Sequence, residues 1–96
     1  MTVILSPEAE FDLTAAYRWY EERDTGLGAE FMRAVETSIY QIQRHPEMYP
    51  IAHRGVRQAI TRRFPFSILY VIQEQTAYVV AVFHAARDPQ NWKNRA

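Results

Sequence analysis

The chain has 96 residues with eleven basic and eleven acidic side chains, so its formal net charge is zero, and it contains no cysteine. A chain of this length is expected to form one domain, residues 1–96, and without cysteine it has neither disulfides nor thiolate metal sites. The sequence has no apolar run of transmembrane length and no basic-then-apolar leader, which predicts a cytoplasmic protein without a membrane segment.

The first part of the chain predicts a strand followed by a helix. Thr2 to Leu5 is a short β-branched run typical of a strand. Ser6 can then cap a helix that has Pro7 at its first position. Apolar residues of this helix fall on two rows, the first with Ala9, Leu13, Ala16, Tyr17 and Tyr20 and the second with Phe11, Ala15 and Trp19. Two rows favour either one wide stripe facing the core, or one row for the core and one for a partner.

A second helix follows a tight turn. Asp24 to Gly28 contains two glycines within three residues, which allows positive φ angles and breaks the helical pattern. The new helix starts near Gly28 and ends at about His45, because the residue before Pro46 avoids helical geometry. The face expected to contact the core contains Phe31, Val35, Ser38, Ile39 and Ile42. The short connection between the two helices predicts an antiparallel helical hairpin.

The second half predicts three antiparallel strands. Residues 47–55 are polar and are predicted to be a loop. The side chains of residues 56–61 alternate between two sides, which is typical of a strand. Residues 66–72 and 77–84 are rich in Ile, Val, Tyr and Phe and form a hairpin closed by the four-residue link 73–76. Strict alternation along the last strand places on one face Tyr78, Val80, Val82 and His84. The order β-α-α-β-β-β predicts an α+β fold, with the helical hairpin packed on one face of a mostly antiparallel sheet.

Basic residues flank this hairpin. Arg62 and Arg63 precede it, whereas His84 and Arg87 follow it. Because the two ends of an antiparallel hairpin are neighbours, these four side chains are predicted to cluster at one edge of the sheet. Arg57, Arg62 and Arg63 suit binding of phosphate or of carboxylates on a target, and the alternative is charge that protects an edge strand. His84 can act as an acid or base near neutral pH, or be structural.

The charge is distributed unevenly along the chain. Residues 1–48 contain nine acidic residues and four arginines, a net charge of −5, whereas residues 49–96 contain two acidic and seven basic residues, a net charge of +5. This asymmetry indicates either an acidic partner for the second half or solvated acidic helices beside basic sheet edges. The sequence has no Gly-rich phosphate loop, nucleophile elbow or metal-ligand pattern, so we expect no metal and no cofactor.

The tail carries one further short element. Asp88 can cap a single helical turn that starts at Pro89. Trp92 then lies where it can pin this turn to the sheet, and stacking on a nucleic-acid base is the alternative.

Taken in order, these motifs resemble the RelE/ParE superfamily, the toxins of bacterial type II toxin–antitoxin pairs, which includes plasmid stabilisation proteins. The motifs that carry the resemblance are Ser6-Pro7-Glu8-Ala9, Trp19-Tyr20-Glu21, Gly26-Leu27-Gly28, His45-Pro46, Arg63-Phe64-Pro65-Phe66, Ile68, Tyr70, His84 and Arg87-Asp88-Pro89 with Trp92. The resemblance covers nearly the whole chain and implies the same α+β fold.

The resemblance implies two alternative activities. ParE-like members bind a protein target such as DNA gyrase, whereas RelE-like members are ribosome-dependent mRNA endoribonucleases. Cleaving members commonly have a basic residue directly after the aromatic that opens the third strand, where this chain has Ser67. They often have another at the end of the fourth strand, where Ala85 and Ala86 follow His84. We therefore predict a ParE-like toxin that arrests growth by binding a protein target such as DNA gyrase.

The alternatives assign other roles to the same surface. In a RelE-like endoribonuclease acting on mRNA at the ribosome, the resemblance implies His84, Arg63 and Arg87 as catalytic residues. A third possibility is an inactive member that only binds its antitoxin. All three imply a cognate antitoxin whose disordered acidic tail folds on binding as an apolar helix or strand. The candidate contacts for that tail are Tyr17, Trp19 and Tyr20.

Overall fold

The computed structural model describes residues 1–95 and contains three helices and five strands. In chain order these are β1 (Thr2–Leu5), α1 (Pro7–Arg23), α2 (Leu27–Arg44), β2 (Ile51–His53), β3 (Val56–Ile60), β4 (Phe66–Gln73), β5 (Thr76–His84) and α3 (Gln90–Lys93). Among residues 1–95, no helix is long and apolar enough to cross a membrane. The predicted α+β fold is confirmed, but the segment 47–55 is not all loop, because it contains the short strand β2.

All five strands form one sheet, in the order β1-β5-β4-β3-β2. Three neighbouring pairs are antiparallel, and β1 is parallel to β5, with Thr2 opposite Thr76 and Leu5 opposite Val79. The sheet is therefore mostly antiparallel, as predicted. β1 forms one edge and the three-residue β2 forms the other.

The helices begin and end at the predicted signals. The Ser6 hydroxyl accepts a hydrogen bond from the Ala9 N–H at 3.0 Å, and Pro7 is the first helical residue of α1. α2 begins after Gly26, whose φ of 91° lies in the left-handed region that glycine adopts without steric cost. It ends at Arg44, two residues before Pro46. Both helices therefore confirm the sequence prediction to within one residue.

The main core lies between the helical hairpin and one face of the sheet. Three of the α2 residues predicted to face the core, Phe31, Val35 and Ile42, are fully buried there. The sheet contributes a second set of buried side chains, which includes Ala59, Phe66, Ile68, Tyr70, Ala77, Val79 and Val82. Burial of these apolar surfaces is the dominant favourable term in the folding of a domain this small.

The opposite face of the sheet carries a smaller core closed by α3. Trp92 is only 6% exposed and packs with Val56, Leu69 and Phe83. The Asp88 carboxylate accepts a hydrogen bond from the Gln90 N–H at 3.0 Å, which supports the start of the helical turn. The prediction that Trp92 pins the tail to the sheet is confirmed.

A β-bulge interrupts the pairing of β4 with β5. Tyr70 pairs with Val79 and Leu69 pairs with Ala81, so Val80 has no partner in β4. Because of this extra residue, each later side chain of β5 points to the face of the sheet opposite to the one that strict alternation would give it. The strict alternation predicted for this strand is therefore wrong.

The bulge changes which side of the sheet each residue contacts. Val80 packs against the smaller core under α3, whereas Val82 joins the main core under the helices. The turn between the two strands is also tighter than predicted. It consists of Glu74 and Gln75, with φ angles of 48° and 61°, which is the left-handed pair typical of a two-residue hairpin.

Candidate functional site

The first groove considered on the described surface lies between α1 and the end of β5. Its volume is about 400 Å³. One wall consists of successive turns of α1, and the other of the last residues of β5. We call it the Trp19 groove, and it is lined by Phe11, Asp12, Ala15, Ala16, Trp19, Tyr20, Phe66, Val82, Phe83, His84 and Arg87.

The α1 wall of the Trp19 groove is apolar and exposed. Phe11 is 75% exposed and Trp19 is 53% exposed, and Ala15 lies on the turn between them. These three residues form the second apolar row of the helix, which the sequence assigns either to a wide core stripe or to a partner. The structure places this row outside the core. Exposed aromatic side chains in a groove are typical of protein-binding surfaces.

The three aromatic residues predicted to bind the antitoxin point in different directions. Tyr20 packs into the core, with its ring 4.9 Å from the ring of Phe64, and burial raises its pKa. Tyr17 lies at the crossing with α2, where a β-carbon on Gly28 would come within 2.9 Å of its ring. Trp19 faces solvent beneath the Arg23 guanidinium, 3.6 Å from the ring centroid. Trp19 and one side of Tyr20 line the groove, and Tyr17 does not.

His84 and Arg87 lie at the far end of the Trp19 groove. The His84 Nδ1 accepts a hydrogen bond from the Ala86 N–H at 3.1 Å, and the ring lies edge-on to Phe66 at 5.4 Å. A neutral imidazole that accepts at Nδ1 carries its proton on Nε2, so Nε2 can donate but cannot accept a proton. The Arg87 guanidinium stacks on the Phe83 ring at 4.2 Å.

The second groove lies between α2 and the loop that follows β3. Its volume is about 720 Å³. We call it the arginine groove, and it is lined by Glu30, Arg33, Ala34, Thr37, Ser38, Gln41, Met48, Tyr49, Ile60, Arg62, Arg63 and Phe64. The lining has three arginines and one carboxylate, and its rim contains the exposed apolar side chains of Met48 and Ile60. This combination suits a partner with acidic and apolar side chains.

Arg63 is held in an unusual conformation in the arginine groove. Its φ is 69°, in the left-handed region that non-glycine residues rarely adopt. Its guanidinium forms an ion pair with Glu30 at 2.9 Å, and both side chains are substantially exposed. Residues with strained backbone conformations cluster at binding and active sites, and they persist only where the surrounding fold holds them in place.

Arg57 does not join Arg62 and Arg63. Its guanidinium donates hydrogen bonds to the carbonyls of Tyr49, at 2.6 Å, and of Glu47, at 3.1 Å. Arg57 therefore supports the loop before β2, and the predicted group of three arginines is divided.

The predicted basic cluster at the end of the hairpin is divided as well. The backbones do meet, since the Ala85 N–H donates to the Pro65 carbonyl at 2.6 Å. The side chains diverge, because Arg62 and Arg63 line the arginine groove whereas His84 and Arg87 line the Trp19 groove. The single cluster predicted from the sequence does not form, because the two pairs of side chains leave the hairpin towards different grooves.

Sequence reasoning missed a partly buried ion pair beside the Trp19 groove. Asp12 and Arg95 are in contact at 2.6 Å, and the Asp12 side chain is 8% exposed. The Asp12 carboxylate also accepts from the Val82 N–H at 3.0 Å, and Arg95 donates to the Val80 carbonyl at 3.2 Å. No local pattern links residues 83 positions apart. Within residues 1–95, no group of His, Asp and Glu side chains is arranged to hold a metal ion.

Comparison with known proteins identifies the family. The model of the ParE toxin of the type II toxin–antitoxin system parDE matches residues 3–89. The chain belongs to the ParE toxin family. A solved structure described as the chromosomal ParDE TA system from P. aeruginosa is 20% identical, with a TM-score of 0.66, over 88% of this chain and 95% of that chain. No curated protein matches the sequence.

This membership confirms the resemblance drawn from the ordered motifs. The match spans α1, α2 and all five strands, from Val3 to Pro89. At 20% identity, the likeness to the P. aeruginosa structure supports the fold alone.

Proposed function

We propose that this ParE family member arrests growth by binding a protein target, DNA gyrase, and that a cognate antitoxin neutralises it. Both partners are cytoplasmic, so we also propose that the protein acts there. The observation that carries the proposal is the separation of the candidate catalytic residues. Arg63 lies in the arginine groove and is paired with Glu30, whereas His84 lies in the Trp19 groove.

An endoribonuclease needs its catalytic groups within hydrogen-bond reach of one phosphodiester. Side chains in two different grooves do not meet this condition. His84 is also a poor general base in this arrangement, because the proton of its neutral form is on Nε2. The geometry therefore supports binding rather than cleavage.

The two grooves suit two protein ligands. Arg62 and Arg63 present planar guanidinium groups in the arginine groove, which we assign to carboxylates of the target. Trp19 and Tyr20 line the apolar groove, which we assign to the antitoxin, with Phe11 in the place expected for Tyr17. The similar P. aeruginosa structure is described as a ParDE TA system, which supports an antitoxin partner for this chain.

One observation keeps the endoribonuclease as the second candidate. His84, Arg87 and the ring of Phe66 line the same groove, so a base could stack there beside two nitrogen donors. This arrangement lacks Arg63, which the resemblance implies as a catalytic residue, and Arg57, which is bound to backbone carbonyls.

Two assays on the same protein separate the candidates. We expect the purified chain to inhibit supercoiling by gyrase, and we expect messages to stay intact by primer extension after brief induction without antitoxin. Translation-dependent cleavage within codons would contradict the proposal and favour the endoribonuclease. Normal growth together with uninhibited gyrase would favour the inactive, antitoxin-binding alternative.

A further inference from the structure

The outer edge of β3 is only half covered. β2 pairs with the first part of β3, where Ile51 lies opposite Arg57 and the Gln58 N–H donates to the Pro50 carbonyl at 3.0 Å. Pro50 has no N–H to return, and the chain before it turns out of the sheet. Residues 59–61 therefore pair with β4 on one side and with no strand of the described chain on the other. We call these three residues the open edge.

Ile60 directs both of its backbone groups towards the open edge. In an antiparallel sheet, the N–H and C=O of one residue point to the same neighbouring strand, and this direction alternates along the chain. The Thr61 N–H donates to the Phe66 carbonyl at 2.9 Å, on the β4 side, so Ile60 points to the opposite side. Within residues 1–95, the Ile60 N–H and C=O have no hydrogen-bond partner, and the residue is 55% exposed.

These two groups suit an antiparallel strand. In an antiparallel ladder, one residue of the incoming strand exchanges both backbone hydrogen bonds with the residue that it faces, and Ile60 offers both groups. Addition of an extended peptide to an exposed sheet edge is a common mode of recognition. Arg62 and Arg63 follow the edge directly, so a second copy of the chain would bring positive charge against positive charge. An acidic strand would instead be attracted.

The arginine groove determines which side chains such a strand needs. Ala59 belongs to the main core under the helices, and cross-strand neighbours share a face. The incoming residues that face Ala59 and Thr61 therefore point towards α2, into the arginine groove. The Thr61 end of this groove is followed by the arginines, and the other end contains Met48 and Tyr49. Because the strands are antiparallel, the matching order is an acidic residue, a residue that faces Ile60, and an apolar residue.

The arginines of this groove have fewer carboxylates than they can bind. Arg63 is paired with Glu30 at 2.9 Å. Arg33 lies one turn after Glu30 on α2, and Arg62 precedes Arg63. Both Arg33 and Arg62 are exposed, and neither forms an ion pair within residues 1–95. A carboxylate from a partner would balance this excess of positive charge, and it would compete with Glu30 for Arg63.

We propose that an extended segment of the target adds to the open edge as an antiparallel strand. Its central residue exchanges both backbone hydrogen bonds with Ile60. The acidic residue before it binds Arg62 and replaces Glu30 at Arg63, and the apolar residue after it packs against Tyr49. This inference rests on the proposed function, in which the chain binds DNA gyrase, and it specifies the form of the gyrase segment.

Hydrogen exchange of the toxin with and without gyrase tests the position of the segment. The probe is the purified gyrase tetramer added to the full chain, and exchange is measured by mass spectrometry. Among residues 58–61, the N–H groups of Gln58, Ala59 and Thr61 already have acceptors in the sheet, and that of Ile60 does not. We expect gyrase to slow the exchange of one further amide in the fragment that spans these residues.

Proline at position 60 tests the backbone hydrogen bonds. Ile60→Pro removes the open N–H, and proline is tolerated in an edge strand where the N–H faces solvent. Its affinity for gyrase should fall more than tenfold, because a hydrogen bond is lost and the ring obstructs the incoming strand. Ile60→Ala keeps the N–H and should weaken binding only about threefold. Circular dichroism would verify the folding of both variants, and the charge variants below decide the question if Ile60→Pro does not fold.

Charge variants test the chemistry of the segment. Arg62→Glu should weaken binding to gyrase more than tenfold, because it places a carboxylate against the acidic residue. Arg18→Glu is the matched control and should leave affinity unchanged, since Arg18 is exposed on α1 and lines neither groove. Glu30→Gln releases Arg63 and should strengthen binding by up to about fivefold.

Several results would overturn the inference. Full affinity of a folded Ile60→Pro variant, or of Arg62→Glu, would exclude this edge while keeping gyrase as the target. Slowed exchange at Ile60 with the antitoxin but not with gyrase would assign the edge to the antitoxin. A dimer of the free chain in ultracentrifugation, with the Ile60 amide already protected, would assign it to a second copy. A chain that neither binds nor inhibits gyrase would instead contradict the proposed function itself.

Discussion

Tyr70 is the largest of the fully buried side chains, and its hydroxyl donates to the Pro46 carbonyl at 2.6 Å. Tyr70→Phe removes the hydroxyl and leaves that carbonyl without its partner. We expect the free energy of unfolding to fall by about 1–2 kcal/mol, measured by urea denaturation at neutral pH. A change within error would mean that water replaces the hydroxyl at the carbonyl.

The same side chain makes stability depend on pH in the alkaline range. Burial raises the pKa of Tyr70 to about 12, although nearby Arg57 acts in the opposite direction. An unfolded tyrosine loses its proton near pH 10, so the folded state holds this proton more tightly. The contribution is complete below about pH 10 and is lost as the pH rises towards 12. The stability difference between the wild type and Tyr70→Phe should therefore narrow above pH 10, and a constant difference would contradict this.

Single residues show which side-chain contacts the sequence can predict. Trp92 was predictable because a cap, a proline and a large apolar residue lie within five positions of one another. The pair of Asp12 and Arg95 was not, because its partners are separated by most of the chain and neither carries a local signal. The separation of Arg57 from Arg63 could not be predicted from the sequence either, since it depends on where the loop before β2 places its backbone carbonyls.

At the scale of elements, the start of α2 depends on a side chain of α1. The Glu21 carboxylate accepts from the Gly26 N–H at 3.1 Å and 3.0 Å and from the Gly28 N–H at 3.0 Å. N–H groups at the start of a helix have no acceptor within the helix and lie at the positive end of its dipole, so the Glu21 carboxylate stabilises this helix end. Glu21→Ala should lower the free energy of unfolding by about 1–2 kcal/mol.

Glu22 provides the matched control for that substitution. It is the adjacent glutamate on the same helix and is exposed. We expect Glu22→Ala to change stability by no more than about 0.5 kcal/mol in the same denaturation experiment. Equal losses for the two variants would mean that charge or helix propensity, and not the cap, determines the effect.

Elements with strong local signals were predicted, and elements set by pairing were not. Ser6, Pro7 and Pro46 fix the helix ends through backbone geometry alone, so both helices were correct. β2 has three residues and no alternating pattern, so only its pairing with β3 defines it. The bulge at Val80 likewise cannot be predicted from the sequence of β5 alone, because a register shift is a property of two paired strands.

At the scale of the whole molecule, the charge asymmetry maps onto the two layers of the fold. The acidic first half supplies the two long helices and the basic second half supplies most of the sheet. Both grooves lie where these layers meet, with one helical wall and one wall from the sheet or its loops. The sequence could predict a basic surface but not its division into two grooves, because that division depends on the direction in which each side chain leaves the hairpin.

A substitution in the arginine groove is expected to lower toxicity without unfolding the protein. Arg63 has a φ of 69°, so Arg63→Gly relieves backbone strain while removing the guanidinium. The lost ion pair with Glu30 is exposed and contributes about 0–1 kcal/mol, and glycine also favours the unfolded chain by about 0.4–1 kcal/mol. Stability should therefore stay within about 1 kcal/mol of the wild type, which Arg63→Ala cannot ensure because alanine keeps the strain.

Arg54→Gly is the matched control, because Arg54 is another exposed arginine with a positive φ, 42°, and lies in neither groove. At equal expression, we expect Arg63→Gly to weaken growth arrest and inhibition of gyrase supercoiling, and Arg54→Gly to leave both unchanged. Far-ultraviolet circular dichroism and urea denaturation would verify that both variants are folded. Full toxicity of a folded Arg63→Gly variant would show that this arginine is not part of the target-binding surface. Equal loss in both variants would indicate a general effect of positive charge on association with the target.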